Sequence, residues 1–429
     1  MTRFNPNGSL DRSFGEGGIS PRIPAERQSS LAVGPDGEVV VASELSQGAI
    51  GLTRLTSAGE LDSAFGQGGT FVADVGGYGD GPLVVVQPDR KIVLVAQRYD
   101  NYPMTSDGAL VVNRYTERGA LDVVGFGIGG TAEFGDSSAR PGDATLLSNG
   151  GIAVGTPCCY YDGHTPDAFF LGRLTSSGAP ASVGLQGVKV AAKWATVSSV
   201  IALKGGKIEV LGTDFNGFFA ARLLSDGSLD RAFGDAGVSR IDQIRHDRLR
   251  GFLLSGAVAD SRGRVVGAVG VQHAREGEYG SHLALFRILA NGSPDRVFAG
   301  GGEARFTLGG TSYPVGVGMQ SSGRIVALVE RGDCERTCTI VSNGLVRYLG
   351  GSSRARCMGR KATVVGTRRK ETLTGTPRRD VIAALGGNDV VQGRGGNDLI
   401  CGGRGNDRLL GGSGKDRLAG GPGRDQVRR

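Results

Sequence analysis

From Gly366 the chain divides into seven consecutive nonamers whose register never slips: GTRRKETLT, GTPRRDVIA, ALGGNDVVQ, GRGGNDLIC, GGRGNDRLL, GGSGKDRLA and GGPGRDQVR. Position six holds Glu371, Asp380, Asp389, Asp398, Asp407, Asp416 and Asp425; position eight holds Leu373, Ile382, Val391, Ile400, Leu409, Leu418 and Val427. One carboxylate and one aliphatic side chain thus recur every nine residues among glycines. Glycine lets the backbone turn tightly with positive φ and bring carbonyl oxygens inward, and the aliphatic residue fills a narrow interior. A glycine-rich disordered linker, the alternative that composition alone allows, needs neither a strict period nor phased aliphatic residues.

The pattern follows GGxGxDxUx, a calcium-binding parallel β-helix repeat, and the tail resembles the hemolysin-type (RTX) calcium-binding repeats across residues 366–429. That resemblance implies a glycine-rich turn plus a short strand per nonamer, two nonamers per coil, and calcium between the turns of adjacent coils. Aspartates eighteen apart are then expected to share ions: Asp380 with Asp398 and Asp416, and Asp389 with Asp407 and Asp425, with backbone carbonyls of the adjoining turns. The chemistry agrees, because Ca²⁺ takes six to eight hard oxygen ligands from carboxylates and carbonyls. Coils stacked at strand spacing put carboxylates of one column about 4.8 Å apart, a repulsion on the order of 3 kcal/mol per pair at an effective dielectric of 20. Calcium relieves it, so folding and calcium binding are expected to be one event.

The first two nonamers have Arg369 and Arg378 where glycine stands at position four elsewhere, and are expected to cap the roll. Thirteen Arg or Lys against seven acids from Gly366 onward should weaken calcium affinity, while screening carboxylate repulsion when no ion is bound. The resemblance also implies a disulfide between Cys357, just before the array, and Cys401 within it. Six cysteines in all suit an oxidising compartment. Cys334 and Cys338, spaced CERTC, read as a loop staple, and Cys158–Cys159 as loop packing or a vicinal disulfide.

A longer repeat fills the rest of the chain. The marker R-x-x-x-x-G, then Leu-Asp and Phe-Gly, begins at Arg3, Arg54, Arg114 and Arg222; it returns at Arg287 with Pro294 for Leu and Ala299 for Gly, and in degenerate form (RLTSSGAPASVG) at Arg173. Its turn glycines, Gly8, Gly59, Gly119, Gly178, Gly227 and Gly292, lie 51, 60, 59, 49 and 65 residues apart. Between markers run apolar hairpins such as LAVGPDGEVVVAS and VIALKGGKIEVLGT, each followed by a third strand, the marker and a fourth short strand. Four short strands at this period predict β-propeller blades. These motifs resemble the delta-60 repeat over residues 1–345. The fold expected is therefore all-β: a propeller of six blades, with seven as the alternative, a basic linker at 346–365, and a parallel β-roll at 366–429. In the marker, Asp11, Asp62, Asp122, Asp230 and Asp295 are expected to cap the following turn, and each Phe to plug the space between blades.

No catalytic set can be assigned. His164, His246, His273 and His282 lack a metal-ligand spacing, GDSS at 135–138 is a four-letter coincidence, and GxSxG and a phosphate-binding loop are absent. A secreted propeller hydrolase or lyase remains the alternative to a binding scaffold, and would need acids or histidines unique to one blade. The net charge of +7 permits acidic cell-wall polymers or glycans as partners, while the tail has too little aromatic interleaving for nucleic-acid recognition. No apolar run is long enough to span a bilayer. The expected protein is a monomer at the cell surface or outside the cell; no leader follows Met1, and because Met1 falls inside a repeat unit the reading frame is expected to extend upstream.

Overall fold

Strands with both faces covered need apolar residues on both, and the second strand of the first blade, Val39–Glu44, is buried along its whole length. That blade is a sheet of Ser29–Val33, Val39–Glu44, Ile50–Leu55 and Thr70–Ala73 in chain order, every neighbour antiparallel. The computed structural model describes residues 1–428 apart from 7, 27–28, 101–107, 135–140, 157–167, 182–185, 190–194, 215–216, 242–251, 276–277, 297, 301, 307–310, 322, 335–337, 349–355, 363, 367–369, 371 and 376–378.

The same meander recurs from Tyr78–Val86 to Thr131–Phe134, from Asp143–Leu146 to Gln186–Lys189, from Thr196–Ala202 to Val238–Ile241, and from Phe252–Ala259 to Glu303–Phe306. A sixth sheet has three strands, Thr311–Met319, Ile325–Cys334 and Cys338–Tyr348. The fold is thus all-β: a six-bladed propeller followed by a parallel β-solenoid of about three turns, which decides the blade number in favour of six. By contact the chain forms two units, Met1–Asp242 with Leu254–Ala259, and Gln243–Leu253 with Asp260–Arg429.

Within the first unit, each pair of successive blades closes over its own apolar layer. Val40, Ile50 and Leu52 of the first blade meet Ile92, Leu94 and Val111 of the second; Val93, Val95 and Val112 meet Ile152 and Val154 of the third. Each such side chain, taken fully out of water, contributes about 1.5–3 kcal/mol. This is how a chain with only 6% aromatic residues builds a core.

The marker turns out to be a strap between blades. Arg54 Nε donates to Asp62 Oδ2 at 2.8 Å, and its guanidinium lies 4.6 Å from the centre of the buried Phe65 ring. Its Nη1 donates to the carbonyl of Glu117, in the marker turn of the next blade. The Gly66 amide bonds the Arg118 carbonyl at 3.0 Å. Gly119, at φ +89°, has no room for a side chain, since a Cβ would stand 2.8 Å from the Phe71 ring. Arg3 repeats this with Asp11, Phe14 and Ser57, and Arg114 with Asp122, Phe126 and Ser176. The expected roles hold: Asp11 and Asp62 accept the amides of Ser13 and Ala64, each at 3.1 Å, and the Phe rings are buried. The arginine's part is the addition.

Two copies depart from the rule. Arg173 has Ala181 where an acid would stand, yet still reaches the Ser225 carbonyl at 2.5 Å. Arg222 turns to the buried Glu209 at 2.5 Å, leaving Asp230 to Lys207 at 2.7 Å.

Candidate metal centre

In the solenoid the strands pair in parallel at a spacing of eighteen residues, two nonamers per coil. One sheet stacks Val364–Val365, Val381–Ala383, Leu399–Cys401 and Arg417–Ala419; the other stacks Thr372–Thr374, Val390–Gln392, Arg408–Leu410 and Gln426–Arg428. The position-eight side chains Ile382, Val391, Ile400 and Leu409 are fully buried between the sheets. At the open end Leu418 is only partly covered and Val427 is exposed. The first rung, Val364–Val365, precedes Gly366 and pairs with Ile382–Ala383.

Before it, Arg356–Cys357 and Arg360–Lys361 form a small hairpin. Its Cys357 packs with Ala362, Val381, Ala383 and Leu399 on the outer face of the first sheet. The disulfide inferred from the resemblance is there: Cys357 and Cys401 are bonded, with Cα atoms 5.5 Å apart. Backbone register pairs Cys334 with Cys338. Cys158, Cys159, His164, His246 and the GDSS stretch apart from its neighbours lie outside the described residues, as do the side chains of His273 and His282.

The aspartates form the two expected columns. The Asp380 amide donates to Asp398 Oδ1 at 2.8 Å, and that of Asp398 to Asp416 Oδ1 at 2.9 Å. In the second column Asp389 donates to Asp407, and Asp407 to Asp425, both at 2.9 Å. All but Asp425, at the open end, are buried, and Asp398 has no exposed surface. The period puts them there: position six ends the turn just before the strand, so its side chain meets the matching backbone amide one coil away.

One oxygen each of Asp398, Asp407, Asp416 and Asp425 is thereby satisfied. The second, Oδ2 of Asp398, Asp407 and Asp416, is buried with no hydrogen-bond partner among the described residues. Burial, reinforced by the Asp416 and Asp380 carboxylates and opposed by the Asp380 amide, pushes the Asp398 carboxyl up from the usual carboxylate range. An anionic oxygen shut away from water without a partner is costly, and stacked anions add to the cost.

The turns supply further oxygens. Gly405 sits at φ +126° so close beneath the Gly387 carbonyl that a Cβ would stand 1.8 Å from its oxygen. Leu385 and Arg394 accept positive φ without being glycine, each at 74°. Sequence reasoning passed over a second ladder at position five: Asn388, Asn397 and Asn406 accept, through Oδ1, the amides of Asn406, Lys415 and Arg424 at 2.8, 2.9 and 2.8 Å. Three successive Asn-Asp pairs were the available signal.

Among the described residues no three His, Cys, Asp or Glu side chains converge on one point. The donor set is thus one of single buried carboxylates in series, with carbonyl-rich turns alongside. All-oxygen and anionic, it fits a hard divalent cation such as Ca²⁺, which draws on backbone carbonyls as readily as on side chains, and does not fit a metal that prefers sulfur or imidazole.

Residues 365–400, 374–409 and 402–427 match the RTX calcium-binding nonapeptide repeat. Residues 34–65 and 206–233 match a β-propeller domain of unknown function, DUF5122. The chain therefore carries calcium-binding nonapeptide repeats behind a propeller of that type. No curated protein matches it. Among solved structures, it is similar to a Penicillium chrysogenum alpha-L-arabinanase complexed with arabinobiose (12% identity, TM-score 0.45, 76% of this chain and 94% of that one). It is also similar to the NanB sialidase of Streptococcus pneumoniae (11%, 0.42, 80% and 71%) and to a PL25 ulvan lyase (11%, 0.40, 74% and 82%). Likeness at this level bears on no statement about activity.

Proposed function

We propose that this is an extracellular calcium-binding protein in which the solenoid, 366–429, folds on calcium held by Asp380, Asp389, Asp398, Asp407, Asp416 and Asp425 with the carbonyls of neighbouring turns. The propeller, 1–345, joined through 346–365, acts as a scaffold for binding or adhesion. The observation that carries the metal assignment is the buried, partnerless Oδ2 of Asp398, Asp407 and Asp416 in columns of like charge. An ion supplies positive charge and a ligand for each such oxygen; water could not relieve the repulsion between carboxylates one coil apart. The disulfide supports an oxidising environment, and no helix among the described residues is long and apolar enough to cross a membrane.

Because carboxylates must be ionised and assembled to hold the ion, binding free energy appears as folding free energy. Circular dichroism of the full chain, titrated from chelator to millimolar calcium, should show parallel-β signal gained with a midpoint that rises as pH falls. A spectrum indifferent to calcium would defeat the assignment.

A further inference from the structure

The coils that turn their aspartates inward turn their cations outward. Arg379, Arg394, Arg404, Arg408, Lys415, Arg417, Arg424 and Arg428 are all exposed, whereas five of the six aspartates are buried. Among the described residues none of these eight cations forms an ion pair, in contrast to Arg3, Arg54, Arg114 and Arg287 of the propeller. The tail is already basic along its sequence, thirteen Arg or Lys against seven acids, and burial of the aspartates makes its surface more basic still.

Half of these cations share one face. Register pairs Arg408 with Gln426 and Leu410 with Arg428 on adjacent coils. Positions seven and nine of a strand point away from position eight, so with Leu409 buried inside, Arg408 and Arg428 project outward. Arg404 and Arg424 lie in the stacked turns that lead into these two strands, held by the bond from the Gly405 amide to the Pro422 carbonyl at 3.0 Å. Arg408 and Arg428 thus stand one coil apart, about 5 Å in height, and two strand positions apart, about 7 Å in length, with Arg404 and Arg424 in the turns of the same two coils.

We propose that this face, Arg404, Arg408, Arg424 and Arg428, binds a linear acidic polysaccharide, and that it is assembled only when calcium has ordered the coils. The calcium dependence rests on the reading above. Guanidinium forks match carboxylates bidentately and stay charged at every relevant pH. A patch two coils high is the width of one extended chain. No Phe, Tyr or Trp occurs after Tyr348, so the face offers no stacking platform for the bases of a single-stranded nucleic acid. Calcium adds to the attraction twice, by fixing the arginines in register and by neutralising the aspartates beneath them.

The full chain is tested against a fluorescent hyaluronan oligosaccharide by anisotropy, with a DNA duplex of equal charge as the rival polyanion, in millimolar calcium and in chelator. The expected result is binding of hyaluronan in calcium, weaker binding of the duplex, and a loss of roughly thirtyfold in the variant R404Q/R408Q/R424Q/R428Q, as four surface charge pairs in the middle of their range would give. The variant's calcium-induced dichroism should match the parent's, which shows that it still folds. Unchanged hyaluronan binding by the variant overturns the patch and leaves the aspartate columns standing. A silent calcium titration overturns the columns and leaves the patch to be decided by the variant. Equal affinity for the duplex overturns the polysaccharide in favour of general polyanion binding, and full-strength binding in chelator overturns the calcium dependence.

Discussion

Propeller and solenoid both place aspartates by a sequence repeat, and they neutralise them in opposite ways. In the blades Asp11, Asp62, Asp122 and Asp295 each meet an arginine eight residues earlier, at 2.7 to 2.8 Å. In the solenoid, among the described residues, Asp398, Asp407 and Asp416 meet only a backbone amide, although arginines abound on the outside of the same coils. A repeat of fifty-odd residues has room to bring its own counter-charge; a repeat of nine, with its side chains alternately inside and outside, cannot put an arginine in the same column. The solenoid must therefore import its cation, and the blades need none.

The sharpest way to break this contrast is to remove the middle of both columns. The double variant D398A/D407A should leave residues 366–429 unfolded even at millimolar calcium, read as loss of the calcium-induced dichroism and rapid proteolysis of the tail. Asp62→Ala, by contrast, should destabilise the blades to the same extent with or without calcium. A calcium-dependent effect of Asp62→Ala, or a calcium response preserved in the double variant, would erase the distinction.

The strap predicts the next effect in size. Arg114 is buried, its side chain 5% exposed, and it holds Asp122, the Phe126 ring and the Ser176 carbonyl together. Burial pushes the Asp122 carboxyl up, but hydrogen bonds from Lys91 and Arg114, with the charge of Arg114, outweigh it and hold the group below the usual carboxylate range. Arg114→Met keeps the apolar stem and removes the charge, at a cost of about 3–5 kcal/mol for a partly buried carboxylate stripped of its main partner. Urea denaturation in chelator isolates the blades from the tail. A cost under about 1 kcal/mol, the ordinary worth of an exposed pair, would mean that Lys91, 3.1 Å from Asp122, carries the site alone.

What the sequence disclosed follows the same division. The aspartate columns and the aliphatic interior were readable because each coil repeats one short demand, and the eighteen-residue offset between Asp389 and Asp407 is fixed by counting. The arginine's role was hidden because its third partner, the Glu117 carbonyl for Arg54, lies 63 residues away on the next blade. The partner exchange at Arg222 was hidden too, since Glu209 lies within the strand Ile208–Asp214, outside the marker. The asparagine ladder shows the opposite failure: Asn388, Asn397 and Asn406 were in plain view beside the aspartates, and only the fold reveals that each accepts an amide one coil on.

The disulfide fastens the small hairpin that precedes the solenoid to the solenoid's outer face across 44 residues of sequence. Closing a loop of that length restricts the unfolded chain by about 2–4 kcal/mol. Cys357→Ala with Cys401→Ala should therefore shift the calcium midpoint of tail folding upward and leave the denaturation of the blades in chelator untouched. Parallel shifts in both would show that the hairpin supports the blades as well, and the contrast would have to be redrawn.

Asp143 sharpens the comparison at its finest grain, because it is a half-buried carboxylate with, among the described residues, neither an arginine nor a column. It sits at the start of the third blade's first strand, and its Oδ2 accepts the Val200 amide of the fourth blade at 2.7 Å while Oδ1 accepts the Ala144 amide at 2.8 Å. Burial outweighs these bonds and raises its pKa to about 6. A carboxyl whose folded pKa exceeds its unfolded value stabilises the fold fully below the unfolded value, near 3.9, and that contribution is lost as pH rises through about 6. The difference between the two limits is at most about 3 kcal/mol. In chelator, where the tail contributes nothing, blade stability measured by urea should fall between pH 4.5 and 7, and Asp143→Asn should flatten that fall by holding the neutral form throughout. If the variant keeps the parent's slope, amides alone suffice to hold a half-buried carboxylate charged, and the case for an imported ion in the solenoid would rest on the stacking of its anions and no longer on their burial.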